Sequence, residues 1–84
     1  MSMPSATPEE IAAEARQVRR LQLMMDLVMS VISQNPAMPV EEASELVASA
    51  RRAALAMFPG KELAYDLIYR PRFQRLMAEK YRIQ

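Results

Sequence analysis

Leu21-Gln22-Leu23-Met24-Met25-Asp26-Leu27-Val28-Met29-Ser30-Val31-Ile32-Ser33 decides how the rest of the chain reads. Only Gln22, Asp26, Ser30 and Ser33 are polar, and they recur at spacings of four, four and three. On a helix of 3.6 residues per turn such positions fall on one side, so they form a thin wet stripe on an otherwise apolar cylinder. A surface helix of a monomer needs an apolar face of roughly 100°. This one offers far more, so it must be covered from several directions.

The same helix extends backwards with a different character. From Ile11 to Val18 its apolar stripe narrows to Ile11, Ala15 and Val18, among Glu14, Arg16, Gln17, Arg19 and Arg20. Thr7-Pro8-Glu9-Glu10 is a helix start: Thr7 caps, Pro8 suits the first helical position, and Glu10 stands where a capping box places its carboxylate. Asn35-Pro36-Ala37-Met38-Pro39 ends the helix after Gln34. The expected first helix is therefore about 40 Å long at 1.5 Å per residue, which leaves an overhang beside shorter companions. Residues 1–7 read as a flexible segment, and residues 8–84 as a single helical domain.

Downstream, a second helix is expected from Val40 to Phe58, with Glu41 and Glu42 in the first turn, where carboxylates favour the positive helix end. Its apolar side carries Ala43, Leu46, Val47, Ala50, Ala53, Ala54, Met57 and Phe58, and the alanines allow close backbone approach. Pro59-Gly60 breaks it, as a tight turn or as a hinge. A short third helix near Lys61–Tyr69 stops before Pro71, because a residue preceding proline avoids the α region. A fourth runs from Pro71 to about Arg82. These two are expected to bring Leu63, Ala64, Leu67, Ile68, Phe73, Leu76, Met77 and Ile83 to the first helix.

Composition supports an all-α fold, a small bundle of about four helices. One glycine in 84 residues is far too few for a hairpin-rich protein, which needs glycine at positive φ. With 84 residues and no cysteine, stability has to come from helix packing, self-association or both.

Chemistry has little to work with. No histidine or cysteine offers a base, a nucleophile or a zinc ligand, and one glycine builds no phosphate loop. Glu41, Glu42 and Glu45 form the only close acidic cluster, and their place at a helix start accounts for them. The expectation is a non-enzymatic protein with no cofactor, no metal and no small-molecule substrate. Asp26 is read as part of the wet stripe with Gln22 and Ser30 rather than as a buried partner of Arg51 or Arg52.

The expected function is a protein–protein interaction module: an adaptor, regulator or accessory subunit that pairs with itself or with another protein. Leu23, Met24, Leu27, Val28 and Val31 are its candidate contacts, because an uncovered apolar patch of this kind marks an interaction site. Met24, Met25 and Met29 add side chains that adapt to irregular partners. The alternative is a small nucleic-acid-binding regulator. Net charge is only +1, but residues 61–84 carry 6 basic and 3 acidic side chains. Arg72, Arg75, Glu79 and Arg82 share a face there, with Arg70 nearby and tyrosines close enough in sequence to stack on bases. An Arg75–Glu79 pair at i,i+4 would neutralise part of that face. The opening residues show no basic stretch followed by an apolar run, and the apolar stretch is too short to span a bilayer, so the expected setting is the cytoplasm, with no membrane.

Overall fold

A computed structural model of the chain describes residues 7–82. The expected flexible segment 1–7, apart from Thr7, and the expected packing of Ile83 lie outside the described residues. Four helices follow in order: α1 (Pro8–Gln34), α2 (Val40–Met57), α3 (Glu62–Ile68) and α4 (Arg70–Lys80). The protein is all-α, with the long first helix packed on the second and two short helices at the C-terminal end.

Local chemistry places the boundaries. Thr7 caps α1: its Oγ1 accepts the Glu10 N–H at 3.1 Å, and its hydroxyl donates to Glu10 Oε1 at 3.2 Å. The reciprocal half of the box is thus made by the threonine hydroxyl. At the other end of α2, the Lys61 N–H donates to the Phe58 carbonyl at 3.3 Å, and Gly60 has φ +78°. Proline second and a left-handed glycine third in a four-residue turn is the type II pattern. Pro59-Gly60 is therefore a tight turn.

The joint between α3 and α4 is softer than the proline suggests. The Tyr69 N–H donates to the Tyr65 carbonyl at 2.8 Å, and the Phe73 N–H to the Tyr69 carbonyl at 3.0 Å, so the helical pattern carries across. Pro71 sits in the first turn of α4, where its missing N–H costs little.

The core is a single seam. Met25 and Ile32 of α1 lie seven residues apart, on one face, and both are 0% exposed. Ala43, Ala50 and Ala54 of α2 close on them, buried. From the C-terminal end come Tyr65, Tyr69 and Phe73, also buried, with Met77 and Tyr81 half-buried along the same run. These five recur every four residues, which on a helix makes one continuous side.

This corrects one expectation. Leu63, Ala64, Leu67 and Ile68 do not join the core; all four are exposed. A helix of seven residues presents one face to a neighbour, and that face is taken by Tyr65, with Tyr69 continuing it just past the helix end. The tyrosine rings, with centroids 5.3 Å apart, fill more volume than the aliphatic side chains on the other side.

The far end of α4 fastens the α1–α2 loop. The Tyr81 hydroxyl donates to the Met38 carbonyl at 2.8 Å, and Lys80 Nζ donates to the Asn35 carbonyl at 2.7 Å. Met38 itself is buried beneath them.

Truncating the seam is expected to be costly. Met25→Ala and Ile32→Ala should each lower unfolding free energy by about 2–5 kcal/mol, a large share of a small domain's stability, as read from urea denaturation. Gly60→Ala meets no atom within 4 Å of the added Cβ, so its expected cost of about 1 kcal/mol is conformational alone.

Candidate interaction surfaces

Three surfaces emerge from this arrangement, and the first lies on the back of α1. Two residues further along a helix is about 200° around it, so Leu23 and Leu27 point away from Met25. They are 64% and 63% exposed, and Val31, one turn beyond, is 43% exposed. Met24 and Val28, the other two expected contacts, are half-buried and lean on the core cluster. The structure therefore splits the five: Leu23, Leu27 and Val31 form an open row at spacings of four, while Met24 and Val28 seal the edge of the seam. Gln22, Asp26, Ser30 and Ser33 flank this row, all exposed.

The second surface is the basic C-terminal segment, which is partly tied up internally. Arg72 lies 3.8 Å from Asp26 of α1 and 5.6 Å from the centroid of the Tyr69 ring. Asp26 belongs to the wet stripe, and its charged neighbour comes from α4. Tyr65 and Tyr69 are buried and offer no ring face for base stacking. Arg70, Arg75 and Arg82 are exposed, and the expected Arg75–Glu79 pair is not among the ion pairs formed by the described residues.

The third surface is a groove between α2 and the α3–α4 arm, with a volume of about 660 Å³. Val47, Ala48, Phe73 and Met77 form its apolar floor, and Arg51, Asp66 and Arg70 line one end. Arg51 holds Asp66 with two bonds, Nε to Oδ1 at 3.0 Å and Nη2 to Oδ2 at 3.1 Å. This fork ties α2 to α3 and was not expected from sequence, because the partners lie on helices separated by a turn. The bidentate bond with Arg51 holds the Asp66 carboxyl below the usual carboxylate range, burial opposes this, and the charge of Arg70 adds to the lowering. Burial pushes the Tyr65 phenol up, and its hydroxyl donates to the Met25 sulfur at 3.5 Å.

Among the described residues no group of three or more acidic side chains is placed to hold a metal ion, and no helix is long and apolar enough to cross a membrane. No protein family, curated protein or solved structure matches the chain.

The Arg51–Asp66 fork has a pH signature. Because the folded protein binds the Asp66 proton less tightly than the unfolded chain does, the contribution is complete above about pH 4 and is lost as pH falls through the lower folded value. The stability gap between the wild-type chain and Asp66→Asn, measured by urea denaturation, should therefore be widest at neutral pH and shrink below about pH 4.

Proposed function

We propose that this chain is a non-enzymatic protein–protein interaction module of the cytoplasm, and that it pairs with a second copy of itself through the outer face of α1. One observation carries the reading: Leu23, Leu27 and Val31 stand open in a single row on the same helix whose opposite face supplies the fully buried Met25 and Ile32. Large aliphatic side chains repeated every four residues on a rigid helix are expensive to leave in water, at about 25 cal/mol per Å² of apolar surface. They are also a self-complementary pattern. A two-fold axis near Leu27 sets Leu23 of one chain against Val31 of the other, so a single row serves both partners.

Met24 and Val28 belong at the rim of this contact, where side chains that already serve the core would be further shielded. An adaptor or accessory-subunit role fits the same face, since an exposed apolar row on a helix accepts another amphipathic helix as readily as a copy of itself.

The test is the mass of the assembly. In size-exclusion chromatography with light scattering at tens of micromolar, the wild-type chain is expected at the mass of at least two copies. Leu27→Glu should lower that mass while leaving the helical circular dichroism and the melting midpoint almost unchanged, because an exposed position contributes little to the fold. A strictly monomeric wild-type chain, or a Leu27→Glu variant of unchanged mass, would sink the reading.

A further inference from the structure

The loop between α1 and α2 is anchored through a single side chain. Asn35, Pro36, Ala37 and Pro39 are exposed, whereas Met38 is 5% exposed and belongs to the core. Within the loop the Met38 N–H donates to the Asn35 carbonyl at 3.2 Å. The remaining hold comes from the far end of α4. Lys80 Nζ reaches the same Asn35 carbonyl, the Tyr81 hydroxyl reaches the Met38 carbonyl, and the ammonium lies 5.5 Å from the centroid of the Tyr81 ring. Burial, then the charges of Glu42 and Glu41, push the Tyr81 phenol up, so the hydroxyl keeps its proton and stays a donor. Lys80 and Tyr81 together form a latch on the loop.

Met25 and Met38 are therefore both withdrawn from water, but they are held differently. Met25 lies in the middle of α1 at the centre of the seam, so uncovering it requires the seam to part. Met38 sits in a loop fastened by a helix end: Lys80 is the last residue of α4 and Tyr81 is its C-cap. The end of a helix opens locally at a small fraction of the cost of global unfolding.

We infer that Met38 is an oxidation site gated by the Lys80–Tyr81 latch, and that its oxidation holds the latch open, which makes the α1–α2 loop a peroxide-sensitive switch. With the latch open, the Met38 thioether attacks one oxygen of hydrogen peroxide. An S–O bond forms from a sulfur lone pair and the O–O bond breaks. The hydroxide that leaves takes the proton of the transferred hydroxyl and departs as water. Sulfur loses two electrons, and the peroxide gains them.

The product no longer fits its place. A sulfoxide is polar and needs a hydrogen-bond donor when buried. The donors that reach this loop from α4, Lys80 Nζ and the Tyr81 hydroxyl, are each committed to a backbone carbonyl. A sulfoxide returning beneath them either draws a donor off its carbonyl or stays unpaired, and both favour the open latch. A thiol-dependent reductase reverses the step: two thiols become a disulfide and the oxygen leaves as water. Leu23, Leu27 and Val31 take no part in the switch, so it does not depend on self-association.

The gate is tested by treating the chain with dilute hydrogen peroxide at neutral pH and following the sulfoxide at each methionine by tandem mass spectrometry. Met38 is expected to oxidise well ahead of Met25. Tyr81→Phe removes the hydroxyl and Lys80→Gln the ammonium. Each should speed Met38 oxidation by about fivefold, the worth of one hydrogen bond, and leave Met25 nearly unchanged. Met25 thus reports whether a variant has loosened the whole fold, and Lys80→Gln is the milder change. Met38 oxidising no faster than Met25, or equal acceleration of the two methionines in both variants, overturns the gate.

The consequence of oxidation is read with trypsin, which must take the Lys80 side chain into its own pocket and so cuts there only when the latch is open. Peroxide treatment should raise the initial rate of cleavage after Lys80 by about tenfold, because the open form is then more populated. Met38→Leu keeps an apolar anchor without a sulfur, and its cleavage rate should not respond to peroxide. An equal response in Met38→Leu would trace the effect to another methionine and overturn the switch.

Discussion

Met25 and Ile32 are withdrawn from water completely, and the rest of the molecule is arranged around keeping them so. Neither short arm covers them alone. α2 reaches them because Ala43, Ala50 and Ala54 keep its backbone close, and the α3–α4 arm reaches them because Tyr65, Tyr69 and Phe73 are large enough to bridge a wider gap. Small side chains on one neighbour and large ones on the other are complementary solutions to packing a single seam. The Arg51–Asp66 fork and the Tyr81 and Lys80 bonds to the α1–α2 loop then hold the two arms in place. With so few residues buried, each of these contacts is a sizeable fraction of the whole.

Element boundaries were legible in the sequence because proline, glycine and capping chemistry act locally. Thr7-Pro8, Asn35-Pro36 and Pro59-Gly60 mark ends whatever the tertiary fold. The core was legible only where one pattern dominated. Ala43, Ala50 and Ala54 follow from helical spacing. Neither the complete burial of Ile32 and of Met25, read with Met24 and Met29 as an adaptable contact, nor the choice between Leu63-Leu67 and Tyr65-Tyr69 on α3 follows from it. Both pairs have the same spacing, and hydrophobicity favours the leucines. The signal that resolves it is longer than the helix itself: Tyr65, Tyr69, Phe73, Met77 and Tyr81 recur every four residues through the proline joint. The turn between α3 and α4 hides that run when the two are treated as separate helices.

The surface candidates divide in the same way. That the Leu21–Ile32 cylinder exceeds what one side can cover was visible from composition. Which of its residues stay open was not, because that depends on the angle at which α2 and α4 approach. Arg72 shows the opposite limitation. It was grouped with Arg75 and Arg82 by spacing, yet the carboxylate it meets, Asp26, lies on α1, about which local spacing carries no information.

The overhang has a consequence for how evenly the molecule holds together. Thirteen residues from Pro8 to Arg20 are about the length at which an isolated helix is marginal in water. This segment is helical because its inner end grows from a buried turn and its outer end is stoppered by Thr7. Opening of the backbone is therefore graded along a single uninterrupted helix. Amides near Ile11 open by fraying alone, while those near Met25 and Ile32 exchange with solvent only when the whole seam comes apart. One helix in this protein spans nearly the full range of local stability, and anything that grips its outer half draws directly on that gradient.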